Sequence, residues 1–263
     1  MTPQSGVMEV IMKKTNLLLV IITLLVLLSG CSSTTQPNIP VNDTPSNEQA
    51  KSILIGKVIK IYDNYMLVAN AENDAKSSDI YTVSTDFDFD SSKIQAGAII
   101  TIGYDGMIME TYPAKLGDIK YIKFIEQKDD LVGLYEKVFD KLWETDKGLN
   151  TDIDILAFDL SRTTNLTDAE KSALIYVLGN KYSIETVSGT FDQLSKDGYI
   201  DKENLVFENG ILFSFEVLKE SKNSFMFNAE KWKGGLAAYF FQDCTAKKTK
   251  DGWDFKIGSE AIS

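Results

Sequence analysis

Three aspartates at alternate positions, Asp86, Asp88 and Asp90 in STDFDFDSS, are the nearest approach to a metal motif in this 263-residue chain. Carboxylate oxygens suit a hard cation such as calcium. In an extended segment the two-residue period puts all three on one face and Phe87 and Phe89 on the other. An EF-hand is excluded, because the sixth position of that loop is Ser91 and the twelfth is Gly97. The same alternation also suits a solvated edge strand whose charges oppose aggregation. Asp152 and Asp154, with Asp159 beyond, form a second alternation, and two carboxylates at a defined separation are what a glycoside hydrolase needs. A third candidate is AEKWKGGLAAYFF, with Trp232, the Gly234-Gly235 pair and Tyr239. It reads as a sugar-stacking platform or protein-binding groove, or as a bend whose glycines take positive φ while Trp232 closes the core. Thr111-Tyr112-Pro113 reads as a turn. The chain contains no histidine, which removes His-dependent triads, Cys–His pairs and His-ligated zinc sites together.

Two cysteines remain, and their settings differ. Lys13 and Lys14 precede an apolar run from Leu17 to Leu28, interrupted only by Thr23, and the small residues Ser29 and Gly30 lead to Cys31. A basic start, a short apolar run and small residues at the end are the parts of a secretory signal. The run is shorter than the roughly 20 residues of a membrane span. Leu28-Ser29-Gly30-Cys31 resembles the bacterial lipoprotein lipobox. That resemblance implies cleavage after residue 30 and a thioether-linked diacylglycerol on Cys31, with stable anchoring once two or more acyl chains are present. Met8-Glu9-Val10-Ile11-Met12 can be encoded by codons that contain a bacterial ribosome-binding sequence, which makes Met12 the expected start. Cys244, in YFFQDCTAKK, reads as a packing residue at the end of a strand, since no histidine is present to activate it.

Removing Lys13, Lys14 and Glu9 from 27 basic and 38 acidic residues leaves 25 and 37, a net charge of −12. Such a surface repels nucleic acid and anionic headgroups and favours cations or basic partners. Arginine occurs once, at Arg162, so bidentate phosphate clamps are scarce.

Residues 31–52 are small, polar and proline-bearing, and read as a disordered tether. A flexible coil of that length spans roughly 25 Å on average, and about 70 Å when extended. Residues 53–127 follow as a run of short strands, with turns expected at Asp63-Asn64 and, as a β-hairpin, at Asp105-Gly106. Little helix intervenes, so a small antiparallel barrel is expected. Gly56-Lys57-Val58, GAIITIGYDGMIMETYPA and its Thr111-Tyr112-Pro113 resemble an uncharacterised OB-like domain of Gram-positive lipoproteins. The resemblance implies that fold and no particular activity.

Residues 129–263 change period. DLVGLYEKVFDKLWE puts Leu131, Leu134, Tyr135, Val138, Phe139 and Leu142 on one helical stripe, with Gly148 as its stop. DIDILAFDL reads as a strand. Thr167 with Glu170 is a capping box opening a helix that Gly179 should close, and Thr190 with Gln193 is a second. Strands NLVFE and ILFSFEVL are expected as a hairpin across Asn209-Gly210, followed by SFMFNAEKW, GLAAYFFQDCTAKK and WDFKIG. This is an α+β domain ending in an antiparallel meander. LTDAEKSALIYVLGNKY, GTFDQLSKDGYI and AEKWKGGLAAYFFQDCTAKKTKDGW resemble an extracytoplasmic module of clostridia and related Firmicutes. That module occurs in lipoproteins and at the outer ends of β-lactam-responsive antirepressor sensors. The sensor's metalloprotease motif is absent.

The sequence thus leads to an α+β protein: residues 1–30 a signal peptide, 31–52 a lipidated tether, 53–127 an OB-like barrel and 129–263 an α+β domain. The expected role is a non-enzymatic binding or sensory-accessory module on the outer face of the cell membrane. It would be anchored by lipid on Cys31 and engage an envelope protein, not nucleic acid. The alternative is a carboxylate-dependent wall-glycan hydrolase. No cofactor is expected beyond calcium at Asp86, Asp88 and Asp90.

Overall fold

The first sheet grows from alternating β-branched runs. In the computed structural model, which describes residues 49–72 and 78–263, it contains β1 (Ser52–Ile61), β2 (Tyr65–Asn70), β3 (Ile80–Ser84), β4 (Ala98–Tyr104), β5 (Ile108–Met109), β6 (Ala114–Leu116) and β7 (Ile119–Gln127). Their spatial order is β5-β6-β3-β2-β1-β4-β7. All pairs are antiparallel except β3 with β6. The sheet curls into a half-barrel, with β5 and β7 at opposite ends of the strand order. Inside the curl lie Val58, Met66, Val68, Tyr81, Ile100 and Ile102. On its other face Ile59, Leu67, Ala69 and Ile80 join the main core. Four successive residues of β2, Met66 to Ala69, are therefore buried, the signature of a strand covered on both sides.

That main core is built around two helices. α1 (Leu131–Glu144) buries Val132, Leu134, Tyr135, Val138, Phe139 and Leu142. Asp130 caps its start, accepting the Gly133 N–H at 2.8 Å. α2 (Asp168–Tyr182) opens with the expected capping box between Thr167 and Glu170. Strands β8 (Ile155–Asp159) and β9 (Glu185–Ser188) flank α2 in sequence, and α3 (Phe191–Lys196) begins at the second expected box, Thr190 with Gln193. Then come β10 (Gly210–Ser221), β11 (Ser224–Gly234), β12 (Ala237–Thr249), β13 (Gly252–Lys256) and β14 (Ser259–Ile262). The second sheet runs β13-β12-β11-β10-β8-β9, with β14 also on β12. β8 is parallel to both β9 and β10, and the rest is the meander.

α2 packs on β2, β3 and β9 while α1 packs on β11 and β13, so the helices form a layer between the two sheets. All described residues belong to one compact unit. A largely buried ion pair crosses the first boundary: Lys57 Nζ on β1 lies 2.5 Å from Glu170 Oε1. The other oxygen of Glu170 accepts the Thr167 N–H at 2.9 Å. Glu136 adds a second link, accepting from Lys60 and from Lys181, each at 3.0 Å.

Several local expectations differ from this fold. Asp105-Gly106 makes a turn, with Gly106 at φ +89°, but not a hairpin. Asp105 Oδ1 accepts the Met107 N–H and the Asp105 N–H goes to Asp118 O, so β5 is turned onto β6 instead of β4. Asn209-Gly210 is not a hairpin either. Asn209 O accepts from the Asp154 and Ile155 N–H groups, and β10 pairs in parallel with β8. Gly179 lies inside α2, where a Cβ would come within 2.7 Å of Thr186 Cγ2; Ser183, at φ +54°, ends the helix. α1 stops at Glu144, and Gly148 lies in the following 3-10 turn.

Candidate functional site

The two faces of the second sheet are unlike. On β10 and β11, Phe213, Phe215, Phe225, Phe227 and Ala229 point into the helix-covered core. Alternation then sends their neighbours to the opposite face. Strand register arranges that face in rows. Ala157, Leu212, Trp232 and Ala238 make one row, and Asp159, Ser214, Glu230 and Phe240 the next. Glu216 faces Asn228 in the third. The first row is closed off by the small cluster of Leu194, Ile200 and Phe207, with Phe191 of α3 edge-on to Trp232 at 5.2 Å. The remaining rows stay open as a groove of about 420 Å³ that Phe191, Trp232, Phe240 and Gln242 also line.

Charge in the groove is mostly negative. Asp159, Glu216 and Glu230 line it against the single guanidinium of Arg162, which pairs with Glu216. Asp159 Oδ1 accepts the Ser161 N–H at 3.0 Å and its hydroxyl at 2.6 Å. The carboxylate of Glu230 has no hydrogen bond or ion pair among the described residues. Burial, and next the charge of Asp159, push its carboxyl above the usual range. Asn228 spends its Oδ1 on the Asp243 N–H at 3.0 Å, which leaves its amide N–H groups for the groove. Three features thus converge: an aromatic end, two carboxylates flanking a serine, and two primary amides.

Of the residues singled out from sequence, Asp159 and Trp232 come together here. Asp152 and Asp154 do not. Asp152 sits in a left-handed turn at φ +54°, before β8 begins at Ile155. The bend expected at Gly234-Gly235 is real, but neither glycine has positive φ. They sit close to Leu205: a Cβ on Gly235 would lie 3.3 Å from Leu205 Cβ, and the Gly235 N–H donates to Leu205 O at 2.8 Å. Trp232 both lines the groove and packs against the small cluster. Glu216, Asn228, Glu230 and Gln242 were missed. The signal for them was the alternation of Phe213 and Phe215 with Leu212, Ser214 and Glu216.

Asp86, Asp88 and Asp90 are exposed and alternate with the half-buried Phe87 and Phe89, whose rings stack at 5.1 Å against the first sheet's interior. The segment lies beyond the end of β3. Asp90 caps the following turn, its Oδ1 accepting the Ser92 N–H at 3.0 Å. Among the described residues no group of three or more acidic or cysteine side chains is placed to hold a metal ion. Tyr112 is exposed and meets the Tyr176 ring edge-on at 6.1 Å. Cys244 is buried in the core, and burial pushes its thiol up to about 11. Cys31, the expected signal segment and the expected tether up to residue 48 lie outside the described residues. Among the described residues no helix is long and apolar enough to cross a membrane.

A larger hollow of about 780 Å³ runs along α2 and β9. Two of its charged groups, Asp168 and Lys171, already face each other at 3.6 Å, so it offers less unspent chemistry than the groove. Comparison with protein-family models, with curated proteins and with solved structures found no match to this chain.

Proposed function

We propose that this chain is a lipid-anchored binding module on the outer face of the cell membrane of a Gram-positive bacterium. Cys31 carries the lipid, and the open face of the second sheet engages an envelope component. The observation that supports binding is the groove itself, where aromatic, amide and carboxylate groups converge on the part of the face that no described element covers. The lipobox-like Leu28-Ser29-Gly30-Cys31 supports the anchor. In this reading the curled first sheet is an OB-like element that braces the helical layer. Two assays test the reading. Cys31→Ala should abolish incorporation of labelled palmitate and release the protein from the membrane fraction; continued incorporation rules out lipidation at this residue. Sedimentation with isolated envelope fragments should fall at least fivefold for Trp232→Ala, and undiminished sedimentation rules out the groove.

A carboxylate-dependent glycan hydrolase is the second reading, favoured by the raised carboxyl of Glu230 beside Asp159. The two residues stand two strands apart, roughly 10 Å between backbones, and two carboxyl groups of unlike surroundings are what such enzymes use. Release of reducing ends from wall glycan, abolished by Glu230→Gln, would establish it.

A further inference from the structure

We propose that the groove receives an amino sugar bearing a free ammonium group, its ring against Trp232 and Phe240 and its ammonium between Glu230 and Asp159. The inference rests on reading this face as a binding surface and adds the class of ligand.

Charge comes first. Three carboxylates and one guanidinium line the groove, and the guanidinium is already paired with Glu216. Asp159 and Glu230 are left in one row with Ser214 between them, and no cationic side chain among the described residues pairs with either. A ligand cation completes this arrangement, whereas an anion at that row would face two carboxylates. The raised carboxyl of Glu230 has the same origin: burial and Asp159 both oppose its charge, and an ammonium would offset both.

The uncharged groups then choose among cations. An inorganic ion has no use for aromatic rings, yet Phe240 ends the carboxylate row and Trp232 stands in the row beside it. A simple alkylammonium chain would cover the rings but leave the polar groups unmatched. The hydroxyl of Ser214 and the amide of Gln242 have no partner among the described residues. Asn228 has only its Oδ1 engaged. Hydroxyl, primary amides and an aromatic surface together match a ring with apolar C–H faces and an equatorial belt of hydroxyls. An ammonium on that ring supplies the missing charge. The volume, about 420 Å³, is that of a site for a small ligand.

The test uses the ¹⁵N-labelled full-length chain in detergent micelles, following the Trp232 indole N–H, assigned with Trp232→Phe. The probes are the glucosamine disaccharide, its N,N′-diacetylated form and Nα-acetyl-lysine methylamide. The glucosamine disaccharide should shift the Trp232 resonance and bind at least tenfold more tightly than either other probe. Glu230→Gln, checked for an otherwise unchanged amide spectrum, should weaken that binding at least tenfold. Equal or tighter binding of the diacetylated sugar or the lysine derivative at Trp232 overturns the amino-sugar assignment while leaving the groove as a binding face. No response to any probe also overturns it. The groove as such falls only if Trp232→Ala also leaves sedimentation with envelope fragments unchanged.

Discussion

The two sheets solve the same problem in opposite ways. Each has one face against the helices, and each must deal with the other. The first sheet curls so that Val58, Met66, Val68 and Ile100 fill its own interior. Among the described residues the second leaves its far face open, with α3 and the Leu205–Phe207 segment covering one end. A curled sheet spends its apolar residues on itself and has little left to offer a ligand. An open sheet presents a broad array whose composition can be chosen for recognition, because the core behind it already provides the stability. The sheet with the poorer burial is thus the better candidate for function.

Neighbouring positions on one strand give the sharpest test of that contrast. Phe213 is buried, with its ring 4.3 Å from Phe139, so Phe213→Ala should cost about 3–5 kcal/mol in urea unfolding. A cost near zero would mean the helix-facing side is not the core. In the first sheet, Met66 and Leu67 point to opposite faces and are both buried. Met66→Ala and Leu67→Ala should each cost about 2–5 kcal/mol; one silent substitution would show that β2 is covered on one side only.

Lys231 probes the helix-covered face by titration. It is fully buried between the groove residues Glu230 and Trp232, and its ammonium donates to Thr145 O, Asp146 O and Asn150 Oδ1 beyond the end of α1. Burial lowers its pKa from 10.5 to about 8. The folded chain therefore holds this proton more weakly than the unfolded chain does. The resulting penalty is complete below pH 8 and is relieved as pH rises toward 10.5. Relative to Lys231→Met, the wild type should gain roughly 3 kcal/mol at most across that window. Parallel stability profiles for the two proteins would rule out the depressed ammonium. The smallest effect belongs to the open face: Ser214→Ala should change stability by less than about 0.5 kcal/mol, and a larger loss would mean the face is covered.

Local signals in the sequence were followed closely by the structure. Both capping boxes form as read, because a threonine and the acidic or amide residue three positions on satisfy each other with no help from elsewhere. The stripe of α1 is likewise set by periodicity. What failed was partner choice. Asp105-Gly106 turns as its residues dictate, but Asp118 O takes the Asp105 N–H that a hairpin would need. At Asn209 the carbonyl is claimed by residues 154 and 155, far back in the chain. The groove was half legible: Asp159 and Trp232 stood out by type, yet their meeting depends on β8 entering the second sheet beside β10. No spacing along the sequence encodes that pairing.

The row that runs from Asp159 through Ser214 and Glu230 to Phe240 draws on four strands, and its members are scattered late in the chain. The first sheet has all of its strands once residue 127 has been made. A polypeptide growing from its N-terminus can therefore settle that sheet while the groove does not yet exist. Joining β8 to β10 must then wait for a crossover through α2, β9 and α3, the kind of distant pairing that forms slowly. The open row is complete only once Phe240 has been made, so a chain cut short before that residue would keep every strand of the first sheet and lack the groove.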